Sequence, residues 1–276
     1  MIFQFLVNGI ISGALIGILA IGFWFIYRCT NLFHIAHGAV YTASAYVFYS
    51  LYAASGVTLY ISLPLALLAG AILGIGMYFI VYEPLERDNA SDGVKFISSL
   101  AIYILMVNVI ALVYGNETKI LLEGISKSFS LGDIILIKIQ VYQFIAFLIV
   151  LCFSYFFVQK TRAGRQIRAI GDNPLLFKAL GHNEKHIKTI VFFIGSAIAA
   201  FGAVLTGLDV GIDPHIGMLA VLNAVVAVII GGIKKTRSRC CRSFFYRNYT
   251  RPCNMEILSK MGVSGNVFNP CYCSSL

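Results

Sequence analysis

Apolar runs of bilayer length recur along the chain with short polar breaks between them, at 3–27, 39–55, 59–82, 96–115, 141–159, 189–208 and 217–233. About 20 helical residues cross the roughly 30 Å of bilayer hydrocarbon, and a helix does so with every backbone N–H and C=O satisfied internally. The pattern therefore predicts an all-α, polytopic transmembrane helix bundle of about seven spans. The second run is short, which puts Asn31, His34 and His37 at or inside the membrane boundary. Met1 to Tyr27 lacks a basic start and stays apolar too long for a signal peptide, so it reads as the first span.

One break is long and basic. Residues 160–188, KTRAGRQIRAIGDNPLLFKALGHNEKHIK, carry seven Lys or Arg against two acids. Within it, Asn173 suits a helix cap, Pro174 the first helical position and Gly181 the left-handed residue after the end, so a helix of about two turns is expected between them. Leu175, Leu176, Ala179 and Leu180 fall at helical spacing and give that short helix an apolar face. Standing between two spans, such a face calls for a partner.

Composition agrees with the pattern: 59% apolar and 12% charged residues, against roughly 45–50% and 25% in soluble domains. Basic loops stay on the cytoplasmic side, so 160–188 lies inside. Counting spans outward puts 28–38 and 83–95 inside as well, with 56–58, 116–140, 209–216 and the amino terminus outside.

Charge is uneven along the chain. Residues 1–233 hold 13 basic and 11 acidic side chains, a net of +2, whereas 234–276 hold 8 basic and 1 acidic, a net of +7. The same tail has five of the seven cysteines (Cys240, Cys241, Cys253, Cys271, Cys273), no alanine and two leucines. Three readings fit: a native basic tail, a zinc module, or a shifted reading frame just after Ile233. The zinc reading lacks any C-x-x-C pair, and the abrupt change of composition favours the shifted frame. The sequence thus divides into a transmembrane domain at 1–233 and a basic, cysteine-containing tail, expected to be disordered, at 234–276.

Few polar groups interrupt the spans. Asn8, Asn108 and Asn223, with His34, His37 and Gly38 at the start of the second span, are the candidates for a translocation path, since an intramembrane polar group faces a partner helix or a wet cavity. Each asparagine also fits a simple packing hydrogen bond. His34 and His37, three residues apart, lack a third ligand, so no metal is expected. Rows of small residues, Gly9, Gly13 and Gly17 in the first span and Gly195, Ala199, Ala203 and Gly207 in the sixth, let helices approach closely. On the outer side, Asp209, Asp213 and His215 flank Pro214 and suit a helix cap. No phosphate-binding loop or hydrolase motif is present; the Gly231-Gly232-Ile233-Lys234-Lys235-Thr236 stretch lacks the glycine spacing for ATP.

Taken together, the entry segment Asn8-Gly9 through Gly13 and Gly17, Ala36-His37-Gly38 followed by Ala45-Tyr46, Gly164, Arg165, Arg168 and Ala169 in a G-R-x-x-R-A pattern, Ala179-x-Gly181 with Asn183, and Gly231-Gly232 give the chain a family likeness. Over residues 1 to about 233 it resembles the permease subunits of bacterial branched-chain amino-acid (Leu/Ile/Val type) ABC importers. It departs in having His34, Ala39 and Ser44 where that family usually has Asn, an acid and Gly, and in losing the pattern of a final glycine-rich span. The resemblance implies a multi-pass inner-membrane protein with no enzymatic activity and no cofactor of its own, ATP being used by partner subunits. It also implies a second permease subunit, ABC ATPase subunits and a periplasmic substrate-binding protein as partners, with the lipid bilayer as surroundings and no nucleic acid. The short basic-loop helix then has the build of a coupling helix, with Arg165 and Arg168 steering an ATPase, Leu175, Leu176, Ala179 and Leu180 filling its groove and Gly181 setting the exit turn. The alternatives are a permease for urea or short amides on the same plan, an ion-coupled secondary transporter, which the confinement of Asp and Glu to loops disfavours, and a non-functional truncated product.

Overall fold

A computed structural model describes residues 2–121, 128–131 and 134–232. The chain divides into two units, Met1–Ile233 and Lys234–Leu276; the tail, and with it the shifted-frame and zinc readings, lies outside the described residues.

Among its described residues the first unit is a bundle of ten α-helices: α1 (Ile2–Thr30), α2 (His37–Tyr49), α3 (Leu59–Met77), α4 (Glu83–Arg87), α5 (Asp92–Tyr114), α6 (Lys138–Lys160), α7 (Arg162–Asp172), α8 (Pro174–Ala179), α9 (Glu184–Val210) and α10 (Ile216–Gly231). A two-stranded antiparallel hairpin, β1 (Ser128–Leu131) and β2 (Ile134–Ile137), precedes α6. All seven apolar runs are helical over their described residues, among which five helices are long and apolar enough to cross a membrane: Val7–Thr30, Leu59–Arg87, Asp92–Tyr114, Lys138–Lys160 and Glu184–Val210. The second run and the last are shorter. A π-helical turn at Ser50–Ala54 extends α2, and α10 has 16 residues. Another at Tyr78–Tyr82 carries α3 without interruption into α4, so the third span runs five residues beyond the 82 expected from hydropathy alone.

Helix α9 is the centre of the bundle and packs against α1, α2 and α3. Its small-residue row does this work: Gly195, Ala199, Ala203 and Gly207 are all buried. On α1 the close approach falls only partly where expected: a Cβ at Gly17 would lie 2.6 Å from the Phe147 ring of α6. Nothing stands within 4 Å of a Cβ placed at Gly9 or Gly13, whereas one at Gly22 would lie 2.7 Å from the Gly195 carbonyl oxygen. Gly22 and Gly195 therefore mark the crossing of α1 and α9, where backbones meet without intervening side chains. Gly38 and Gly217 make the same kind of contact between α2 and α10. Helix α2 is buried along nearly its whole length, enclosed by other helices. Helices α5 and α6 present most of their surface outward as Leu, Ile, Val and Phe, a face suited to lipid.

The loops segregate as the charge pattern predicts. At one end, the basic end, Arg28 of α1 meets Asp172 of α7, and Glu83 and Glu86 of α4 meet Lys185 and Lys188 of α9. At the opposite end Lys119 and Ile212 exchange two backbone hydrogen bonds, 2.8 and 2.9 Å, tying the loop after α5 to the α9–α10 turn.

Candidate functional site

Two arrangements carry chemistry beyond packing, and both lie toward the basic end. The first is the helical hairpin α7–α8. Thr161 starts α7 by accepting the Gly164 N–H at 2.9 Å, and Asn173 starts α8 by accepting the Leu176 N–H at 3.0 Å, with Pro174 at the first helical position. Asn173 also ends α7, so one extended residue turns the chain from one helix to the next. After α8, Leu180 closes the last turn and Gly181 follows with φ +78°, the left-handed geometry that glycine takes without steric cost.

Helix α7 is anchored by its buried face, Ile167 and Ile170, which are fully enclosed. Arg168 donates to the Gln159 side chain of α6 at 3.1 Å, and the Arg28 guanidinium reaches Asp172 at 2.6 Å. From that base α8 projects outward. Phe177 alone turns in, 3% exposed, and stacks on His182 with ring centroids 4.9 Å apart. Leu175, Leu176 and Leu180 are 81%, 55% and 68% exposed, and Ala179 is exposed beside them. A groove of about 510 Å³ runs between the two helices, lined by Arg162, Arg165, Leu176, Phe177, Leu180 and His182 among others. The structure thus brings Arg165, Leu176 and Leu180 together at one groove, leaves Leu175 and Ala179 outside it, and turns Arg168 to fastening α7 on α6.

The second arrangement is a buried polar knot where the chain re-enters the bundle between α1 and α2. Asn31, with φ +51°, makes the turn. The Tyr82 hydroxyl lies 2.8 Å from His34 Nδ1, and the Ala36 N–H donates to Ser99 Oγ at 2.9 Å, so the loop is tied to the π-helical turn and to α5. His34 and His37 are wholly buried, with ring centroids 5.8 Å apart. Phe23 and Phe192 pack edge-on to them. His34 Nε2 and both His37 ring nitrogens have no hydrogen-bond partner among the described residues. Gly38, in the first turn of α2, lies against Gly217 of α10. Among the described residues no group of three or more His, Cys, Asp or Glu side chains is placed to hold a metal.

The three intramembrane asparagines lie on the outer surface of this chain, away from its interior. Asn8 accepts from Gln4 at 3.2 Å, Asn108 donates to its own helix at Ile104 O at 2.7 Å, and Asn223 is exposed on α10. Sequence reasoning passed over Gln143, which is buried in α6 and donates to Leu205 O at 2.9 Å. It also passed over Tyr82, Ser99 and the Arg28–Asp172 pair. Gln143 and Ser99 carried a signal, each being a polar residue inside an apolar run.

The sequence model of the family described as "Branched-chain amino acid transport system / permease component" matches residues 5–249. The chain belongs to this family. The match runs past the change of composition after Ile233. Among similar proteins are the high-affinity branched-chain amino acid transport system permease proteins BraD of Pseudomonas aeruginosa and LivH of Escherichia coli K12. Each is 29% identical over 247 residues, covering 83% of this chain and 79% of the relative. A probable branched-chain amino acid transport permease, LivH of Methanocaldococcus jannaschii, is 27% identical over 235 residues, covering 82% of this chain and 73% of its own length. No solved structure matches the chain. The permease is thus a multi-pass membrane protein, and its family, that of ABC-importer permeases, works with ATPase and substrate-binding partners in general.

Proposed function

We propose that this permease subunit moves branched-chain amino acids inward across the bacterial inner membrane, with a second permease subunit beside it. ATP is hydrolysed by separate ATPase subunits docked on α7–α8, and substrate arrives from a periplasmic binding protein; the chain itself holds no nucleotide. The observation that carries this reading is α8, which stands clear of the bundle with Leu176 and Leu180 exposed over a groove edged by Arg162 and Arg165. Leucines left in water beside arginines fit an apolar socket with an acidic rim on a partner. The relatives' transport of branched-chain amino acids supports the substrate class. The second permease is supported by α10, whose exposed Asn223 puts an amide where hydrocarbon would leave it poorly bonded and a partner helix would bond it.

The test is Leu180→Asp in the reconstituted importer. Leu180 is 68% exposed, so the substitution leaves insertion and fold intact. ATP-driven leucine uptake is expected to fall about tenfold or more, since even roughly 1.4 kcal/mol of lost docking is a factor of ten. Uptake equal to that of the unmodified chain contradicts the reading.

A further inference from the structure

Motion of α8 changes access to the membrane bundle only if something rigid carries it there. Helix α8 packs chiefly on α7, and α7 packs in turn on α6, which precedes it in the chain, on α9 and on α1. Arg168, bonded to Gln159, fixes α7 to the end of α6, and the contact with α1 fixes the far end of α7, next to α8. Ile167 and Ile170 give α7 a buried apolar face, and apolar contact is non-directional, so it tolerates sliding. Arg28, in the last turn of α1, supplies direction. Its side chain is 5% exposed and a guanidinium nitrogen lies 2.6 Å from an oxygen of the half-exposed Asp172 carboxylate, a charge-assisted bond. Beside it, Gly171 sits so close to α1 that a Cβ there would fall 2.5 Å from the Arg28 carbonyl oxygen and 2.8 Å from its Nε. Backbone and side chain of Arg28 are thus both gripped by the end of α7, one residue before the Asn173 turn into α8.

Arg28 also stands three residues before Asn31, where the chain turns into the loop that carries His34 and leads to α2. We propose that the Arg28–Asp172 pair, with Gly171 seated on it, is the positioning link that carries displacement of α8 into α1 and from there into the α1–α2 loop. This rests on the docking role of α8 given above. The ion pairs of Lys185 with Glu83 and Lys188 with Glu86 fasten the start of α9 to α4, so they hold the frame against which α7 moves and do not join α7 to α1.

The experiment is a reconstituted importer in proteoliposomes, with ATP hydrolysis, leucine uptake and ATPase co-purification measured separately. Arg28→Gln, Asp172→Asn and the double variant are each expected to keep the ATPase bound while uptake per ATP hydrolysed falls about fivefold or more, the lower end of typical coupling free energies. The double variant should lose no more than either single one, since all three break the same link. Arg28→Lys should recover much of the ratio. Gly171→Ala leaves both charges in place and forces α7 from its seat, so it should lower the ratio as well; it decides the matter if Arg28→Gln fails to assemble. An unchanged ratio in Gly171→Ala, or additive losses in the double variant, overturns the proposal. Leu180→Asp run alongside separates the two ideas: if it alone is impaired, the link fails and the docking reading stands, whereas an unimpaired Leu180→Asp chain sinks the docking reading itself.

Discussion

Ser99 shows how much one side chain does where the chain folds back on itself. Its hydroxyl accepts the Ala36 N–H in a wholly buried setting, just before helix α2 begins. Ser99→Ala leaves the N–H unbonded, at a cost of about 1–3 kcal/mol. A lowered unfolding midpoint in detergent is the expected outcome, and an unchanged midpoint contradicts the bond. The cap residues behave differently. Asn173 and Gly181 act on neighbours within a few positions, so their roles were legible in the sequence and the structure repeats them. Arg28 and Asp172 are 144 positions apart, and nothing local in either marks the other as a partner. The same holds for His34 with Tyr82 and for Ala36 with Ser99. Intramembrane polarity was legible at His34 and His37, but which way the three asparagines face was not, because a span's outward side depends on helices remote in sequence.

Among elements, α9 and α1 show what a row of glycines does and does not say. The spacing of Gly195, Ala199, Ala203 and Gly207 pointed to a packed face, and α9 buries all four. Of the equally regular Gly9, Gly13 and Gly17, Gly17 alone meets a neighbouring helix closely, at the Phe147 ring of α6. At Gly13 there is open space, while Gly22 and Gly195 meet backbone to backbone. Gly195→Leu should therefore destabilise the permease by about 1–3 kcal/mol or more through overpacking, and Gly13→Leu should leave it nearly unchanged. Thermal unfolding of the two variants in the same detergent checks this; equal shifts would show that α1 and α9 do not cross at Gly22. Short helices were hard to delimit for a related reason. Helix α2 continues through a π-helical turn and lies enclosed, and α3 passes through another into α4, features that follow from packing and leave hydropathy unaltered.

For the molecule as a whole, the two ends have different tasks. At one, the loop after α5 and the α9–α10 turn are joined by backbone hydrogen bonds. At the other, ion pairs tie α1, α4, α7 and α9 together, and α8 stands beyond them with its leucines uncovered. The all-α bundle and this division of loops were readable from apolar run lengths and the placement of Lys and Arg, since both follow from the bilayer. The order of packing around α9 was not, because every span is apolar enough to pack against any other. The claim on which the account turns is that the exposed face of α8 meets an ATPase. Cross-linking tests it most directly: Leu180→Cys in a chain whose seven native cysteines are replaced, co-expressed with the ATPase subunits and probed in right-side-out and inverted vesicles. The account predicts reaction from the cytoplasmic face only, with a cross-link to the ATPase whose yield changes with bound ATP. Labelling from the periplasmic face, or a residue 180 that never joins an ATPase subunit in the assembled importer, would contradict it.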